Sequence, residues 1–186
     1  MKDEAFIRGN VPMTKAELRA ISLAKLQLWQ ARTFLDVGTG TGSVAVEAAK
    51  NFPHLKVLAL DNNPEALQLL QANQEKFQLD NITSVLDTAP SAIDVSFDAI
   101  FLGGSGGNLK ELLQWSFEHL TKKGRIVLNF ILLDNANCAI DWLRENKKVF
   151  DACQVHVGRY QSLGKGYYYK PMNPAIIIEA RNEETQ

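Results

Sequence analysis

The sequence predicts an α/β fold in which helices cover both faces of a mostly parallel, seven-stranded sheet. From Phe34 onward, apolar runs of strand length alternate with longer segments of helical period, the pattern typical of βαβ units. The chain has 186 residues, of which 46% are hydrophobic and 22% charged, values that are ordinary for one globular domain. We therefore expect a single domain over residues 1–186.

The predicted strands cover residues 33–37, 56–60, 82–86, 97–102, 125–131, 153–159 and 175–180. Helices are predicted in the gaps, and three apolar stripes support them. These are formed by Leu67, Leu70 and Phe77, by Leu109, Leu112, Leu113, Phe117 and Leu120, and by Ile140, Leu143 and Phe150. A polar loop joins the last two strands, which predicts a C-terminal antiparallel hairpin. The spacing of Thr14 and Glu17 indicates a capping box for an extra N-terminal helix that runs to about residue 29.

Charge and cysteine content exclude several classes of protein. Lys and Arg number 20 against 21 Asp and Glu, so a strongly basic nucleic-acid binder is not indicated. No apolar run reaches the length of a membrane span, roughly 18 residues. Cys138 and Cys153 lack metal-site or disulfide-scaffold spacing. We expect a cytoplasmic protein with no metal, no membrane association and no nucleic-acid partner.

A glycine loop follows the first predicted strand and opens a helix, as the run Asp36-Val37-Gly38-Thr39-Gly40-Thr41-Gly42. Such a loop turns tightly, keeps Cβ atoms away from a ligand and points helix N-terminal amides at it. A dinucleotide loop is one alternative, because residues 40–45 also satisfy its glycine pattern. The Asp36 carboxylate would repel a pyrophosphate, however, whereas S-adenosylmethionine carries an ammonium and a positive sulfur. The run resembles the first motif of the Rossmann-like class I methyltransferases.

Acidic residues after the next two strands extend this ligand site. Asp61 ends the second strand, 19 residues after Gly42, where a carboxylate can accept hydrogen bonds from ribose hydroxyls. The alternative role for Asp61 is to cap the following helix, but Asn63 followed by Pro64 suits that role better. Asp87-Thr88-Ala89-Pro90 ends the third strand, where such folds contact the adenine.

Two further segments carry candidate substrate contacts. The stretch Gly103-Gly104-Ser105-Gly106-Gly107 follows the fourth strand, so that its backbone could approach a large flat substrate; the alternative is a flexible connection with Asn108 as N-cap. The segment Lys165-Gly166-Tyr167-Tyr168-Tyr169-Lys170 could stack on a conjugated ring and bind carboxylates. It could equally cover RNA bases or pack on a core.

Four segments together resemble the stand-alone decarboxylating C15-methyltransferases of cobalamin biosynthesis: Asn10-Val11-Pro12-Met13-Thr14-Lys15, the glycine loop, Phe101 to Leu109, and Tyr169-Lys170-Pro171-Met172-Asn173-Pro174. The resemblance covers nearly the whole chain in order. It implies S-adenosylmethionine-dependent methylation of C15 of cobalt-precorrin-6B, or precorrin-6B, with decarboxylation of the C12 acetate, giving precorrin-7. It also implies a role for residues 1–30 in the cofactor site, a separate C5-methyltransferase and a homo-oligomer.

The predicted site residues follow from the motifs and the resemblance together. The predicted cofactor contacts are Thr14, Asp36, Gly38, Thr39, Gly40, Thr41, Gly42, Asp61, Asn62, Asp87, Thr88 and Ala89. The predicted substrate contacts are Gly103, Gly104, Ser105, Gly106, Lys170 and Asn173. Lys15, Tyr168 and Lys170 are unranked candidates for the proton donor. The alternative functions are a class I methyltransferase acting on RNA or protein, and a dinucleotide-dependent module.

Overall fold

The computed structural model describes residues 1–104 and 107–184 and contains nine strands and five α-helices in the described ranges. In chain order these are α1 (Ala16–Leu26), β1 (Thr33–Val37), α2 (Ser43–Asn51), β2 (Lys56–Asp61), α3 (Pro64–Phe77), β3 (Ile82–Leu86), β4 (Phe97–Leu102), α4 (Leu109–Glu118), β5 (Leu120–Phe130), α5 (Leu133–Glu145), β6 (Lys148–Val155), β7 (Gly158–Leu163), β8 (Gly166–Pro171) and β9 (Ala175–Glu184). Short 3₁₀ turns cover Asp3–Ala5 and Leu28–Gln30. Within these ranges, no helix is long and apolar enough to cross a membrane.

The main sheet has seven strands in the order β3-β2-β1-β4-β5-β9-β6. Strands β1 to β5 pair in parallel, and β9 runs antiparallel to both β5 and β6. The predicted mostly parallel, seven-stranded sheet is therefore confirmed. Strands β2 and β3 lie on one side of β1, and β4 and β5 lie on the other, so the strand order reverses between β1 and β4. Open α/β sheets bind ligands in the crevice at such a reversal.

Apolar side chains on alternate strand positions build a core on each face of the sheet. In β1, Phe34 joins a core with residues of α1, α2 and α3, whereas Leu35 and Val37 join the core beneath α4 and α5. This alternation is the period of two that a strand imposes on its side chains. The predicted helices on both faces are thus present.

The N-terminal helix differs from its prediction at both ends. Lys15 occupies the N-cap position and no side chain caps the helix, so the predicted capping box of Thr14 and Glu17 is wrong. The α-helix ends at Leu26 because Gln27 adopts a left-handed conformation with φ of 51°. A short 3₁₀ turn then continues to Gln30 instead of the predicted helix.

The C-terminal third corrects two further boundaries. Helix α5 ends at Glu145, and Lys147, with φ of 52°, turns the chain into β6. Phe150 therefore lies on a strand rather than on the predicted helical stripe, and β6 ends before the predicted strand 153–159 does. The predicted polar loop is instead a separate hairpin of β7 and β8, inserted between the antiparallel strands β6 and β9.

Candidate functional site

Two cavities lie side by side at the carboxyl ends of the central strands. The first, of about 400 Å³ and here called the cofactor cavity, is lined by Val37, Gly38, Leu60, Asp61, Asn62, Asp87, Thr88, Ala89, Gly104, Asn108 and Leu112. The second, of about 380 Å³ and here called the apolar cavity, is lined by Pro12, Met13, Thr14, Lys15, Leu18, Gly103, Gly104, Asn129, Phe130, Ile131, Leu132, Asn135, Met172, Asn173 and Ala175. Both include Gly104, so a ligand in one cavity can reach a ligand in the other.

The three glycines of the loop after β1 are required for three different reasons. All have positive φ, at 70° for Gly38, 55° for Gly40 and 74° for Gly42, a region that favours glycine. A Cβ atom at Gly42 would lie 2.4 Å from Leu70 Cδ1, and one at Gly40 would lie 2.5 Å from the Pro12 oxygen. Only Gly38 lines the cofactor cavity, so the other two glycines shape the loop through contacts with protein.

Asp36 lies beneath the loop rather than on the wall of either cavity. Its Oδ2 accepts hydrogen bonds from Thr39 Oγ1 at 2.7 Å and from the Ala45 amide at 3.1 Å. Asp36 Oδ1 and Thr41 Oγ1 are buried and have no partner within the described residues. Burial raises the pKa of the Asp36 carboxyl to about 7. A positive charge brought to the loop would therefore stabilise the ionised Asp36 carboxylate and lower its pKa.

Asp61 fixes the loop against the start of α3. Its carboxylate accepts the Gly40 amide at 2.9 Å and the Asn63 amide at 2.9 Å. Asn63 accepts the Glu65 amide at 3.0 Å, which confirms the predicted helix cap. Each carboxylate oxygen of Asp61 retains acceptor capacity toward the cofactor cavity, and the exposed Asn62 lies beside it.

The loop after β3 forms the other end of the cofactor cavity. Asp87, Thr88 and Ala89 all line it, as the sequence predicts for an adenine contact. Hydrogen bonds from Ser91 and from the Thr88 amide hold the pKa of Asp87 below its usual value. Asn108 donates to the Ala89 carbonyl at 3.3 Å and does not cap α4 through its side chain. From the sequence, Asn108 was expected only as a helix cap; its place at the end of the glycine run was the available signal for a position at the cavity.

The apolar cavity gathers some of the predicted substrate contacts and adds others. Gly103, Gly104 and Asn173 line it, but Lys170 does not, and Ser105 and Gly106 lie outside the described residues. Thr14, a predicted cofactor contact, lies on this wall, and its carbonyl accepts from Arg19. Lys15 is the single charged side chain among the described lining residues.

A row of exposed aliphatic residues, here called the lip, borders the apolar cavity and was not expected from the sequence. Ile131, Leu132 and Leu133 are 66%, 64% and 61% exposed, and the first two line the cavity. Three consecutive exposed aliphatic side chains are costly unless something covers them. The signal in the sequence was an apolar run that continues past the end of a buried strand.

Comparison with known proteins decides the family. The family model described as precorrin methyltransferase domain matches residues 4–182. The chain belongs to the precorrin methyltransferase family. The resemblance noted from the sequence is thereby confirmed, and this precorrin methyltransferase has the class I methyltransferase fold.

Relatives of this precorrin methyltransferase match over nearly their whole length. The Salmonella typhimurium cobalt-precorrin-6B C(15)-methyltransferase (decarboxylating) is 45% identical over 186 residues, covering 99% of this chain and 97% of that protein. A probable cobalt-precorrin-6B C(15)-methyltransferase (decarboxylating) from Sulfurisphaera tokodaii is 38% identical, covering 95% of this chain and 94% of that protein.

Solved structures show the same fold. The precorrin-6y C5,15-methyltransferase of Geobacter metallireducens superposes with a TM-score of 0.91 at 33% identity, covering 97% of both chains. The precorrin 8w decarboxylase of Methanobacterium thermoautotrophicum gives a TM-score of 0.89 at 31% identity, covering 96% of this chain and 98% of that one.

Proposed function

We propose that this precorrin methyltransferase transfers a methyl group from S-adenosylmethionine to C15 of cobalt-precorrin-6B, or of precorrin-6B, and decarboxylates the C12 acetate, giving the corresponding precorrin-7. One observation carries the proposal: an apolar cavity shares Gly104 with a polar cavity at the glycine loop. Full-length relatives named for this reaction support it.

The cofactor cavity fits S-adenosylmethionine better than a dinucleotide. Its described lining contains two carboxylates, Asp61 and Asp87, and no cation, a poor environment for a pyrophosphate. The unpartnered, buried Asp36 Oδ1 beneath the loop favours a cationic ligand. Asp61 and Asn62 would hold the ribose, while Val37, Ala89 and Leu112 supply apolar surface for the adenine. When bound, the cofactor supplies an electrophilic methyl group on a sulfonium.

The protein contributes to methyl transfer by positioning the substrate carbon relative to the methyl group. An electron-rich ring carbon is already a nucleophile, so holding it in line with the methyl group can supply much of the rate without a general base. The wall shared at Gly104 brings the two ligands together, since Gly104 has nothing within 4 Å of an added Cβ position. The new C15–CH₃ bond would form as the methyl–sulfur bond breaks, and one proton would leave the macrocycle, which balances the proton taken up in the decarboxylation.

Decarboxylation breaks the bond between the acetate methylene and its carboxyl carbon. Carbon dioxide leaves, the electron pair enters the conjugated ring, and a proton must reach the methylene carbon. An apolar wall withholds the water that would stabilise the carboxylate and so favours its departure. Of the three candidate donors, Lys15 lines this cavity, whereas Tyr168 and Lys170 lie on the hairpin. We assign proton delivery to Lys15.

The outer face of the hairpin supports self-association. Tyr160, Tyr167 and Tyr169 lie together, with ring centroids 4.7 Å apart for Tyr160–Tyr167 and 5.8 Å for Tyr160–Tyr169, and each ring is mostly exposed. Such a cluster is typical of an interface. A Tyr160→Ser/Tyr169→Ser variant is expected to have a lower mass by light scattering than the wild type.

The free thiols of Cys138 and Cys153 suit the cytoplasm, where we place the reaction.

Incubation of the purified protein with cobalt-precorrin-6B and S-adenosylmethionine tests the proposed function. Mass spectrometry should show gain of one methyl group and loss of one carbon dioxide. Calorimetric titration with S-adenosylmethionine and with NAD is the companion test, and tighter binding of NAD would refute the cofactor assignment. Methylation of RNA or protein in place of the tetrapyrrole would refute the substrate assignment.

A further inference from the structure

The β7–β8 hairpin is anchored to the N-terminal part of the chain by one arginine. The hairpin forms a sheet of its own, and two strands alone are only marginally stable in water. Arg159 on β7 donates from Nε to Glu17 Oε1 at 3.1 Å and from Nη2 to Glu17 Oε2 at 2.8 Å. It also donates from Nη2 to Asp3 Oδ2 at 3.0 Å. A bidentate guanidinium–carboxylate contact of this kind fixes the relative orientation of the two side chains as well as the distance between them.

The same ion pairs continue to the segment that lines the apolar cavity. Asp3 Oδ1 lies 3.4 Å from Nη1 of Arg19, a fully buried residue of α1. Arg19 in turn donates to the Thr14 carbonyl at 2.5 Å and to Glu47 Oε2 on α2 at 2.6 Å. Arg159 is therefore connected, through two side chains, to the carbonyl of a residue on the cavity wall.

Each end of this network lies next to residues that line the apolar cavity. Thr14 and Lys15 come just before α1, and Met172 and Asn173 follow directly after β8. The Met172 amide donates to the Val157 carbonyl at 2.9 Å, so this part of the lining is attached to the base of the hairpin beside Arg159. Movement of the hairpin relative to α1 would change the width of the cavity between them.

We propose that Arg159 is a positioning residue: by docking the hairpin onto Glu17 and Asp3, it sets the spacing of the walls that receive the tetrapyrrole. The part concerning the tetrapyrrole rests on the proposed function; the docking does not. Charge supports the arrangement, since the hydrogen bond from Arg159 lowers the pKa of the Glu17 carboxyl. Arg159 is about one-third exposed, so its replacement leaves the buried core intact.

Steady-state kinetics of Arg159→Met provide the first test. We expect the KM for cobalt-precorrin-6B to rise about tenfold, which corresponds to about 1.4 kcal/mol, with the affinity for S-adenosylmethionine and kcat close to wild type. Arg159→Lys should recover part of the loss, because one ammonium can still pair with one carboxylate. Arg144→Met, which removes an exposed ion pair on α5, is the matched control and should leave KM unchanged.

A double-mutant cycle identifies the partner. Glu17→Gln should raise KM by a smaller factor, because Arg159 still pairs with Asp3, and the double variant should be no worse than Arg159→Met alone, because that change already removes the contact with Glu17. Multiplied effects, or an Arg159→Met variant with the wild-type KM, would overturn the proposal.

Hydrogen exchange on the free protein tests the docking without any substrate. Arg159→Met should speed amide exchange both in residues 158–171 and in residues 10–17, while α5 exchanges as in the wild type. Acceleration confined to the hairpin, or none, would overturn the coupling. If the wild type instead fails to turn over cobalt-precorrin-6B, the proposed function fails, and the exchange data still decide whether Arg159 joins the two segments.

Discussion

Alanine at Gly38 and alanine at Gly42 should rank in opposite order for loss of stability and for loss of ligand binding, although both positions belong to one motif. Both glycines have left-handed φ, near 70°, which costs alanine about 1 to 2 kcal/mol. At Gly38 the new methyl group meets nothing closer than the Gly104 nitrogen at 3.6 Å, so no protein clash adds to that cost. At Gly42 it would meet Leu70 Cδ1 at 2.4 Å and Leu70 Cα at 3.2 Å, and overpacking adds about 1 to 3 kcal/mol.

Gly38→Ala should therefore lose about 1 to 2 kcal/mol of unfolding free energy and Gly42→Ala about 2 to 5 kcal/mol. The order reverses for the cofactor, because only the methyl group at Gly38 faces the cofactor cavity. Overpacking against a bound ligand there should weaken S-adenosylmethionine binding about tenfold or more. Urea denaturation gives the stabilities and calorimetry gives the affinities. Wild-type affinity in Gly38→Ala would refute the placement of the cofactor against the loop.

Three further changes test the site. The pKa of Asp36 is raised to about 7, so between about pH 4 and pH 7 the folded state binds a proton that the unfolded state lacks. The unfolding free energy, measured by urea titration, should therefore fall by about 2 kcal/mol from pH 5.5 to pH 8. If Asp36→Asn showed the same dependence of unfolding free energy on pH, Asp36 would not be its cause. Asp61→Ala should weaken S-adenosylmethionine binding by about 1 to 3 kcal/mol by calorimetry, and unchanged affinity would remove Asp61 from the site. Leu132→Asp should raise the KM for the tetrapyrrole about tenfold, the effect of losing about 1.4 kcal/mol of apolar contact; Val95→Asp, at an exposed position outside both cavities, is the control, and equal effects would contradict a role for the lip.

The sequence predicts the central strands and the cofactor side of the site because both depend on short-range patterns. The runs that became β1 and β4 are apolar, short and followed by glycines, so their type and their ends are locally encoded. The acidic ends of β2 and β3 meet the same edge of the sheet because parallel strands share a direction. Predicted and observed bounds agree for β1, β3 and β4.

What the sequence does not predict depends on contacts between distant residues. The role of Gly40 follows from the Pro12 carbonyl, and Thr14 is placed by the buried Arg19 rather than by a capping box. The apolar cavity combines the N-terminal segment, the residues after β4, the end of β5 with the start of α5, and the residues after β8, four segments that no local pattern connects. The hairpin was missed because nearly all of its residues are exposed, with no buried stripe to indicate strands.

The central claim is that one active site couples methylation at C15 with loss of the C12 carboxyl group. The most direct measurement uses S-adenosylmethionine with a deuterated methyl group and cobalt-precorrin-6B labelled with ¹³C in the C12 acetate carboxyl. The account predicts one labelled carbon dioxide released for each deuterated methyl group found on the macrocycle, with both yields falling together in Gly38→Ala. Labelled methyl transfer with the ¹³C retained, or no transfer to the tetrapyrrole at all, would contradict it.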